Sequence, residues 1–446
     1  MQDLRAFLAL AEDRDHLVRI NRPVDPDTEA GALIVELERR GKVGLFEHVT
    51  GREGRLAANL LGRRDLLAAA LDVPVDEVVP TYQKRLGCRL PVAAFDGTPP
   101  VQEMVRTGFD ADLRRLPVIV HADKDAGAYI TAGIVLACDP DTGLRNVSMN
   151  RMQVKDAHTA GIRMMPPQQL GVLQTRAEAA GAALPIAVAI GNHPLDLVAA
   201  ATTLPLGEDE LELAGALRGE PFLLAPAVSQ PGLEVPALAE VVLEGFVEPG
   251  VREPEGPFGD FMQYYVPLMD NHVFRLTALT HRSNPILQAI HAGSREDVNL
   301  LGISREAQVL TAVRATGAAV RAVRLLPTIL GCAISIEQRY VGEAKAVGMA
   351  ALGVYRWLKY CVVVDHDVDV NSVEDVWWAV TTRSNPAEAI TVVSRSGGFP
   401  RDPFGIHASK AVIDATIPLG EWQEFERKRP PGADHVRLED FLQLQR

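Results

Sequence analysis

The sequence predicts an α+β protein of several domains, in which an α/β region at each end flanks a mainly β core. Its 446 residues are enough for two or three domains. Helical periodicity recurs near both ends of the chain, whereas short apolar runs bounded by turn-forming residues fill the middle. We therefore expect domains at residues 1–100, 101–300 and 301–446.

The first region alternates helices with short apolar runs. Leu4, Phe7, Leu8 and Ala11 recur at helical spacing, so an amphipathic helix is expected to open the chain. The other elements expected here are a strand at 16–20, helices at 28–40 and 64–71, and an apolar run at 44–46. This alternation is typical of a small α/β domain.

The middle region has the pattern of a β barrel or sandwich. Its apolar runs lie at 116–120, 129–138, 144–154, 185–190, 241–247, 273–279 and 286–290. The segment 139–143, Asp-Pro-Asp-Thr-Gly, has the composition of a hairpin loop. One inserted helix is expected, at 168–181.

The last region alternates helices and strands again. The expected elements are a helix at 305–316, a strand at 320–325, a helix at 342–358 and a strand at 360–364. A further helix at 372–382 has Asn371 as its expected cap and Glu374 three residues on. A third, α/β segment therefore follows the β core.

Charge and cysteine content exclude several classes of protein. Lys and Arg number 45 against 58 Asp and Glu, so the net charge of −13 argues against a nucleic-acid or anionic-membrane surface. The four cysteines (Cys88, Cys138, Cys332 and Cys361) lack CxxC spacing, which favours buried thiols in a reducing cytoplasm over zinc fingers or disulfides. The N-terminus is too charged for a signal peptide, and no apolar run reaches the ~18 residues of a membrane span. We expect a cytoplasmic protein.

The polar segment 146–151, Asn-Val-Ser-Met-Asn-Arg, can hold a phosphate or a metal-bridged phosphate, since it offers amides, a hydroxyl and a guanidinium. Strict strand alternation places Asn146 and Ser148 on one face and Arg151 on the other. A bulge or the end of the strand is needed to bring all three to one ligand. The alternative is a strand with a solvated polar face.

Glu210 is a candidate ligand because of its place on a predicted helix. It shares a stripe with Leu213, Ala214 and Leu217, the face that should be buried. A buried carboxylate needs a cation or a hydrogen-bond partner, because an unpaired buried charge is very costly. The alternative is a first-turn glutamate that the helix dipole mildly favours.

Glu255 and Asp260 lie five residues apart in the segment Glu-Gly-Pro-Phe-Gly-Asp. Paired acids near an arginine can have their pKa values pushed apart, so that one is ionised while the other carries a proton near neutral pH. An acid–base catalyst requires this arrangement. The alternative is an ordinary acidic turn.

Other candidates carry weaker signals. His291, Ser294 and Arg295 follow a predicted strand, a common place for substrate contacts, but the same residues also suit a plain polar connection. Lys359 precedes a predicted strand and is a weak candidate. The alternative is a solvated lysine that flanks the strand. The acidic run 365–369 lacks the glycine and terminal glutamate of an EF-hand. The absence of GxxxxGKS/T, GxSxG and HExxH motifs argues against P-loop kinases, α/β-hydrolases and common zinc proteases.

Taken in order, these motifs resemble the UbiD family of reversible decarboxylases, which use prenylated FMN. Each motif is short, but their order and spacing make the resemblance specific. The matching segments are 146–151, Pro167-Gln168-Gln169, Leu204-Pro205, Asp209-Glu210, 214–219, 242–245, 255–260, 376–383 and 413–416. They run from the β core to near the C-terminus.

The resemblance implies a catalytic network of Arg151, Glu255 and Asp260. We expect Glu255 to deliver the proton that replaces CO2, Arg151 to set its protonation and orient the substrate carboxylate, and Asp260 to position Arg151 or share the proton. The implied activity is that of a reversible, non-oxidative carboxy-lyase. Its substrate would be an aromatic, heteroaromatic or α,β-unsaturated acid that forms a covalent adduct with prenylated FMN.

The resemblance also implies a divalent metal, Mn2+ or Mg2+, that ties the cofactor phosphate to the protein. Asn146 and Glu210 match two of its ligands, and Gln169 stands where a histidine is common. A glutamine carbonyl suits hard cations better than soft ones, so this departure bears on metal identity and affinity. The residues expected to bind the cofactor are Asn146, Ser148, Met149, Asn150, Arg151, Gln168, Gln169 and Lys359. The resemblance admits K+ as a further ion.

The implied fold is an N-terminal α/β region, an FMN-binding split β-barrel core and a C-terminal α/β oligomerisation domain, with the active site between the last two. The implied partners are a flavin prenyltransferase and further copies of the chain in a homodimer or larger homo-oligomer. Two alternatives are an FMN oxidoreductase on a similar barrel and a non-catalytic accessory protein that binds prenylated flavin.

The substrate is expected to carry a second polar or anionic group. His291, Ser294 and Arg295 can bind such a group. This favours a hydroxylated, heteroaromatic or dicarboxylated acid over plain cinnamate.

Overall fold

The structure is a computed structural model that describes residues 3–139, 142–164, 168–205, 207–432, 435–437 and 441. Pro140 and Asp141 of the predicted hairpin loop, and Pro167 of the motif 167–169, lie outside the described residues. The chain divides into two units, the first formed by Met1–Gln308 with Pro327–Ile329 and the second by Val309–Leu326 with Leu330–Arg446.

The helices and strands follow one another along both units. The helices are α1 (Leu4–Asp13), α2 (Ala30–Arg39), α3 (Arg64–Leu71), α4 (Val78–Leu86), α5 (Gln169–Ala179), α6 (Pro194–Ala200), α7 (Glu210–Arg218), α8 (Arg295–Ala315), α9 (Glu343–Val354), α10 (Val373–Arg383) and α11 (Pro386–Ala389). The strands are β1 (Leu17–Ile20), β2 (Val43–Phe46), β3 (Arg55–Ala58), β4 (Ala93–Ala94), β5 (Met104–Thr107), β6 (Tyr129–Ile130), β7 (Ile134–Cys138), β8 (Arg145–Met149), β9 (Met152–Val154), β10 (Thr159–Ile162), β11 (Leu184–Ile190), β12 (Leu223–Pro226), β13 (Glu234–Pro236), β14 (Val241–Glu255), β15 (Phe258–Gly259), β16 (Tyr265–Val266), β17 (Met269–His281), β18 (Ile286–Ala289), β19 (Ala319–Leu325), β20 (Gly331–Glu337), β21 (Tyr360–Asp365), β22 (Ile390–Val393) and β23 (Lys410–Ala415).

The N-terminal part of the first unit is a sheet in the order β1-β2-β3-β18. The predicted first helix is confirmed, and its apolar stripe from Leu4 to Ala11 is buried. The prediction that residues 286–290 belong to the β core is wrong, because β18 pairs in parallel with β3. All four residues of β18 are buried, and such a continuous apolar run does not reveal which sheet it will join.

The core of the first unit is a sheet in the order β6-β9-β10-β17-β14-β11-β7-β8, with β5 also paired to β17. It is built around the long antiparallel pair β14 and β17, whose register shifts at Glu244/Gly245 and again between Val247 and Arg252. Such irregularities bend a sheet and increase its twist. The sheet curls into a half-barrel, which confirms the expected split-barrel core.

Three expectations for the core need correction. The run 116–120 forms no strand; its only described ladder contact is an isolated bridge from Ile119 to Tyr129. The run 144–154 is divided into β8 and β9 by a break at Asn150 and Arg151. The expectation of one inserted helix is wrong, because α6 and α7 accompany α5; α7 is the helix on which Glu210 was predicted to lie.

The second unit is a sheet in the order β19-β20-β21-β23-β22, in which β20, β21 and β23 are parallel. Helix α10 begins at Val373 and is capped by Ser372, whose side chain accepts the Asp375 N–H at 3.1 Å. The prediction of Asn371 as the cap is wrong, because its side-chain amide donates to Asp369 at 3.1 Å instead. The helix expected at 305–316 is the second half of the longer α8.

The four cysteines are free thiols. Cys332 and Cys361 are buried, as expected, but the prediction is wrong for Cys88, which is exposed, and for Cys138, which is half-buried. Cys88 follows the end of α4, and Cys138 is the last residue of β7, so neither lies inside a covered element. Among the described helices, none has the length and apolar character needed to cross a membrane.

Candidate active site

A buried ion pair joins Glu255, the last residue of β14, to Arg151 in the break between β8 and β9. Arg151 Nε donates to Glu255 Oε1 at 3.0 Å, and Nη2 donates to Oε2 at 2.9 Å. The side chain of Glu255 is 1% exposed and that of Arg151 11%. Two parallel charge-assisted bonds fix the orientation of both groups and offset their desolvation. The break in the strand therefore brings together two of the three residues of the predicted network.

Two further residues hold this pair, and sequence reasoning missed both. Asn271 on β17 donates its side-chain amide to Glu255 Oε2 at 2.7 Å. The guanidinium carbon of Arg151 lies 4.6 Å from the centre of the Phe258 ring, a cation–π distance. The contact of Asn271 depends on the pairing of β14 with β17, which no local sequence pattern reveals.

Glycine gives the backbone around Glu255 its shape. Gly256 has φ +103, a conformation that side chains rarely adopt, and it turns the chain directly after the glutamate. Gly161 on β10 faces the glutamate, and a Cβ atom there would lie 3.3 Å from Glu255 Cγ. A larger residue at position 161 would therefore press on the carboxylate side chain.

Asp260, just after β15, lines a cavity of about 370 Å³. It is 7% exposed, and its Oδ1 accepts the Met262 N–H at 2.8 Å. The structure brings the three predicted substrate residues to the same cavity. The polar side chains that line the cavity include His121, Asp260, Gln263, His291, Ser294 and Arg295, together with Glu38 and Arg39 of α2.

Two histidine rings face each other in this cavity. The ring centroids of His121 and His291 are 6.3 Å apart, and His121 Nε2 is 3.1 Å from the Tyr129 carbonyl oxygen. Burial lowers the pKa of His121 to about 4 and also lowers that of His291. Both rings are therefore neutral near pH 7 and present hydrogen-bonding groups without charge. Sequence reasoning missed His121, which follows the wrongly predicted strand at 116–120.

Asn146 contacts Gln169, and Glu210 reaches the backbone of Val147, the residue next to Asn146. Asn146 Nδ2 donates to Gln169 Oε1 at 2.9 Å, and the Val147 N–H donates to Glu210 Oε2 at 3.1 Å. Glu210 is 3% exposed, as its helical stripe predicted, and burial raises its pKa to about 7.

This cluster fits a hard cation better than a soft one. The Asn146 Oδ1 atom is buried and has no hydrogen-bond partner among the described residues. Amide and carboxylate oxygens are the ligands that Mg2+ and Mn2+ accept. No group of three His, Cys, Asp or Glu side chains suited to a metal occurs in the described part of the chain, so amide oxygens are essential to this candidate site.

The other residues predicted to bind the cofactor are Ser148, Met149, Asn150 and Gln168 in the first unit and Lys359 in the second. Ser148 Oγ donates to Asn150 Oδ1 at 2.9 Å, and Asn150 Nδ2 donates to the Arg163 carbonyl at 2.8 Å. Met149 ends β8, and Gln168 is exposed at the start of α5. Lys359 belongs to the second unit, where its Nζ pairs with Asp402 at 2.8 Å.

Three family models match the chain. They are the N-terminal domain of 3-octaprenyl-4-hydroxybenzoate carboxy-lyase at residues 8–86, its Rift-related domain at 93–295 and its C-terminal domain at 298–415. Anhydromevalonate phosphate decarboxylase of Methanosarcina mazei is 32% identical, with 95% of this chain and 98% of that protein covered. Phenolic acid decarboxylase of Bacillus subtilis is 33% identical, with 94% and 93% covered.

Solved structures agree over the whole chain. The UbiD-class enzyme HmfF from Pelotomaculum thermopropionicum, in complex with FMN, matches with a TM-score of 0.93 and 39% identity, covering 99% of this chain and 100% of its own. An evolved dimeric form of that enzyme, in complex with prFMN, matches with a TM-score of 0.88. The family resemblance drawn from the motifs is confirmed, and the chain belongs to the UbiD family of carboxy-lyases.

Proposed function

We propose that this carboxy-lyase is a reversible, non-oxidative decarboxylase of an aromatic, heteroaromatic or α,β-unsaturated acid, and that it uses prenylated FMN. The observation that carries the proposal is the buried fork between Arg151 and Glu255. Phe258 links this pair to the cavity, since its ring lies against Arg151 and contacts His121, at a centroid distance of 6.5 Å. A proton donor and a carboxylate-binding cation are thus next to a space that can hold a substrate.

In this proposal the protein moves one proton and holds the reacting groups. Arg151 orients the substrate carboxylate, and CO2 leaves as its bond to the ring or alkene carbon breaks. Bound prenylated FMN supplies the sink for the electron pair left on that carbon. Protonated Glu255 then delivers its proton to the same carbon, and Asp260 positions Arg151 or shares the proton.

The cluster of Asn146, Gln169 and Glu210 is proposed to hold Mn2+ or Mg2+ beside the cofactor phosphate. An acidic chain with a net charge of −13 needs a cation to offset the repulsion of a phosphate dianion. The unpartnered Asn146 Oδ1 and the buried Glu210 carboxylate support the assignment. Ser148, Met149, Asn150, Gln168 and Lys359 are proposed to contact the cofactor, and K+ is proposed as a further ion.

We propose a cytoplasmic homo-oligomer that receives its cofactor from a flavin prenyltransferase. The ranges of the three family models support the proposed domain limits near residues 100 and 300.

Anaerobic reconstitution with prenylated FMN and Mn2+ tests the function. We expect CO2 release from at least one acid in a panel, and H/D exchange at the reacting carbon, without NAD(P)H. Omission of Mn2+, or a Glu210→Gln change, is expected to lower the flavin absorbance that the protein retains. Turnover that depends on NAD(P)H would indicate an FMN oxidoreductase. If the protein retained flavin absorbance but catalysed no H/D exchange in any acid of the panel, it would be a non-catalytic accessory protein.

The cavity predicts the kind of acid that is preferred. Neutral His121 and His291, with Ser294 and Arg295, can pair with a second polar or anionic group on the substrate. We expect kcat/KM for hydroxylated, heteroaromatic or dicarboxylated acids to exceed that for cinnamic acid by about 10-fold or more, since a lost polar contact costs ~1–3 kcal/mol. Arg295→Met should narrow this ratio. A preference of the unmodified protein for cinnamic acid would contradict the assignment.

A further inference from the structure

Two segments that are distant in the sequence meet in the wall of the cavity that contains His121 and Asp260. One is the loop 121–127, which precedes β6, and the other is the hairpin of β15 and β16. His121 is the first residue of the loop, and Asp260 directly follows β15; both line the cavity. The proposed function uses Asp260 in the catalytic network and His121 in substrate binding, so the contacts between the two segments bear on both.

One carboxylate joins the two segments. Asp125 Oδ1 accepts the Gly259 N–H at 2.8 Å, and Oδ2 accepts the Ala122 N–H at 3.0 Å. Gly259 precedes Asp260 in the chain, and Ala122 follows His121. Each oxygen therefore fixes the backbone next to one of the two cavity side chains. The carboxylate between the two N–H groups sets the distance from one backbone to the other.

Further contacts link the same two segments. The Ala126 N–H donates to the Pro257 carbonyl oxygen at 2.9 Å. The Tyr265 hydroxyl, on β16, donates to a carboxylate oxygen of Asp123 and accepts the Lys124 N–H at 3.3 Å. Asp123 and Lys124 are exposed, so their bonds compete with water and stabilise the contact less than the bonds of the half-buried carboxylate do.

The alternative is an aspartate that only stabilises its own turn. Such an aspartate accepts from the backbone a few residues on, as Asp156 does from the His158 and Thr159 N–H groups at 2.8 and 2.9 Å. Asp125 accepts from a residue three positions earlier and also from one 134 positions later. The second bond adds nothing to the local turn. Its effect is to hold the hairpin against the loop.

We propose that Asp125 is a positioning residue that holds the Asp260 hairpin at a fixed distance from His121 and so sets the spacing across the substrate cavity. The role rests on the proposed function, in which these two side chains act on the substrate. Asp125 is not part of the cavity lining in the described part of the chain, so it acts through its neighbours. An acid with a second polar group contacts both sides of the cavity and depends most on this spacing.

Asp125→Asn tests the role, because it keeps the shape of the side chain and replaces one acceptor oxygen by an NH2 group. That group faces a backbone N–H, so at least one of the two bonds is lost. In the reconstituted protein we expect kcat to fall about 10-fold for every accepted acid, since Asp260 is displaced. The preference in kcat/KM for acids with a second polar group over cinnamic acid should also narrow by about fivefold or more, the effect of one lost polar contact. A merely structural role would lower kcat/KM equally for both kinds of acid.

Asp125→Glu separates spacing from charge. It keeps both acceptor oxygens but moves them about 1.5 Å further from the backbone, the length of one C–C bond. We expect the preference between the two kinds of acid to narrow in this variant too, although the bonds persist. Full recovery of native kcat and preference in Asp125→Glu would show that the carboxylate does not set the spacing and would overturn the role.

Asp156→Asn is the matched control, because Asp156 is a loop aspartate that also accepts two backbone N–H groups. We expect it to keep kcat and the preference within about twofold. Flavin absorbance should be unchanged in all three variants, which separates the role from cofactor binding.

A second readout needs no flavin. Deuterium exchange of the apoprotein is measured in peptides that cover 121–128 and 257–266. We expect exchange in both to be about fivefold faster in Asp125→Asn and unchanged in Asp125→Glu and Asp156→Asn. Unchanged exchange in Asp125→Asn, or a kcat within twofold of native, overturns the role alone. Absence of turnover in the native protein with every acid overturns the proposed function and the role with it.

Discussion

Glu255→Gln is expected to lower kcat by about 10³-fold or more, while flavin absorbance and folding persist. Glutamine has the shape of glutamate, and its one side-chain oxygen can still accept from Arg151 Nη2 and Asn271 Nδ2, which lie 2.9 and 2.7 Å from the native Oε2. It has no acidic proton to give to the reacting carbon. Single-turnover CO2 release and H/D exchange at that carbon measure the effect.

The control for this change lies on the same strand. Glu248 on β14 pairs with Arg275 on β17 at 3.2 Å, so it is also a glutamate held by an arginine, but both side chains are partly exposed. Glu248→Gln is expected to leave kcat unchanged. Retained turnover in Glu255→Gln would show that the proton comes from another group and would remove Glu255 from the proposal.

Local sequence patterns predicted the parts of the fold in which the spacing of apolar residues determines which face of a helix is buried. The stripe of Leu4, Phe7 and Leu8 predicted a buried helix face, and the stripe that includes Glu210 predicted a buried carboxylate. Both follow from helical periodicity alone. A break near Arg151 was predicted only on the condition that Asn146, Ser148 and Arg151 bind one ligand. Strict strand alternation would otherwise place Arg151 on the opposite face from Asn146.

The parts that could not be predicted depend on pairing between distant segments. Asn271 reaches Glu255 because β17 runs antiparallel to β14, and β18 joins β3 across more than two hundred residues. His121 and Tyr129 acquire their surroundings in the same way, from the fold around Phe258. A single sequence carries no record of such register, whereas the family motifs pointed to Arg151 and Glu255, which the structure pairs, without it.

Arg151→Lys is expected to separate two proposed roles of the arginine. One is to supply a positive charge to Glu255, and the other is to fix the orientation of a bound carboxylate. Lysine keeps the positive charge, so the buried Glu255 carboxylate retains a counter-ion and the free energy of unfolding should fall by about 1.5–3 kcal/mol, the effect of one lost hydrogen bond to a charged group. It loses one of the two parallel hydrogen bonds and the flat contact with the Phe258 ring. A point charge on a flexible stem does not fix the orientation of a carboxylate, so we expect kcat/KM to fall about 10²-fold, the usual effect of a misplacement near 1 Å.

Arg151→Met removes the positive charge as well as the hydrogen bonds. Comparison of this variant with Arg151→Lys therefore isolates the effect of the charge. It leaves the 1%-exposed Glu255 carboxylate without its cation, so we expect a loss of about 3–5 kcal/mol in the free energy of unfolding by urea, or protonation of Glu255 in compensation. Arg275→Lys, in the partly exposed pair with Glu248, should change neither activity nor stability measurably. If Arg151→Lys kept native kcat/KM, the charge of residue 151 alone would suffice and the fork would not orient the substrate. If Arg151→Lys and Arg151→Met lost activity and stability equally, the arginine would act through folding rather than through the reaction.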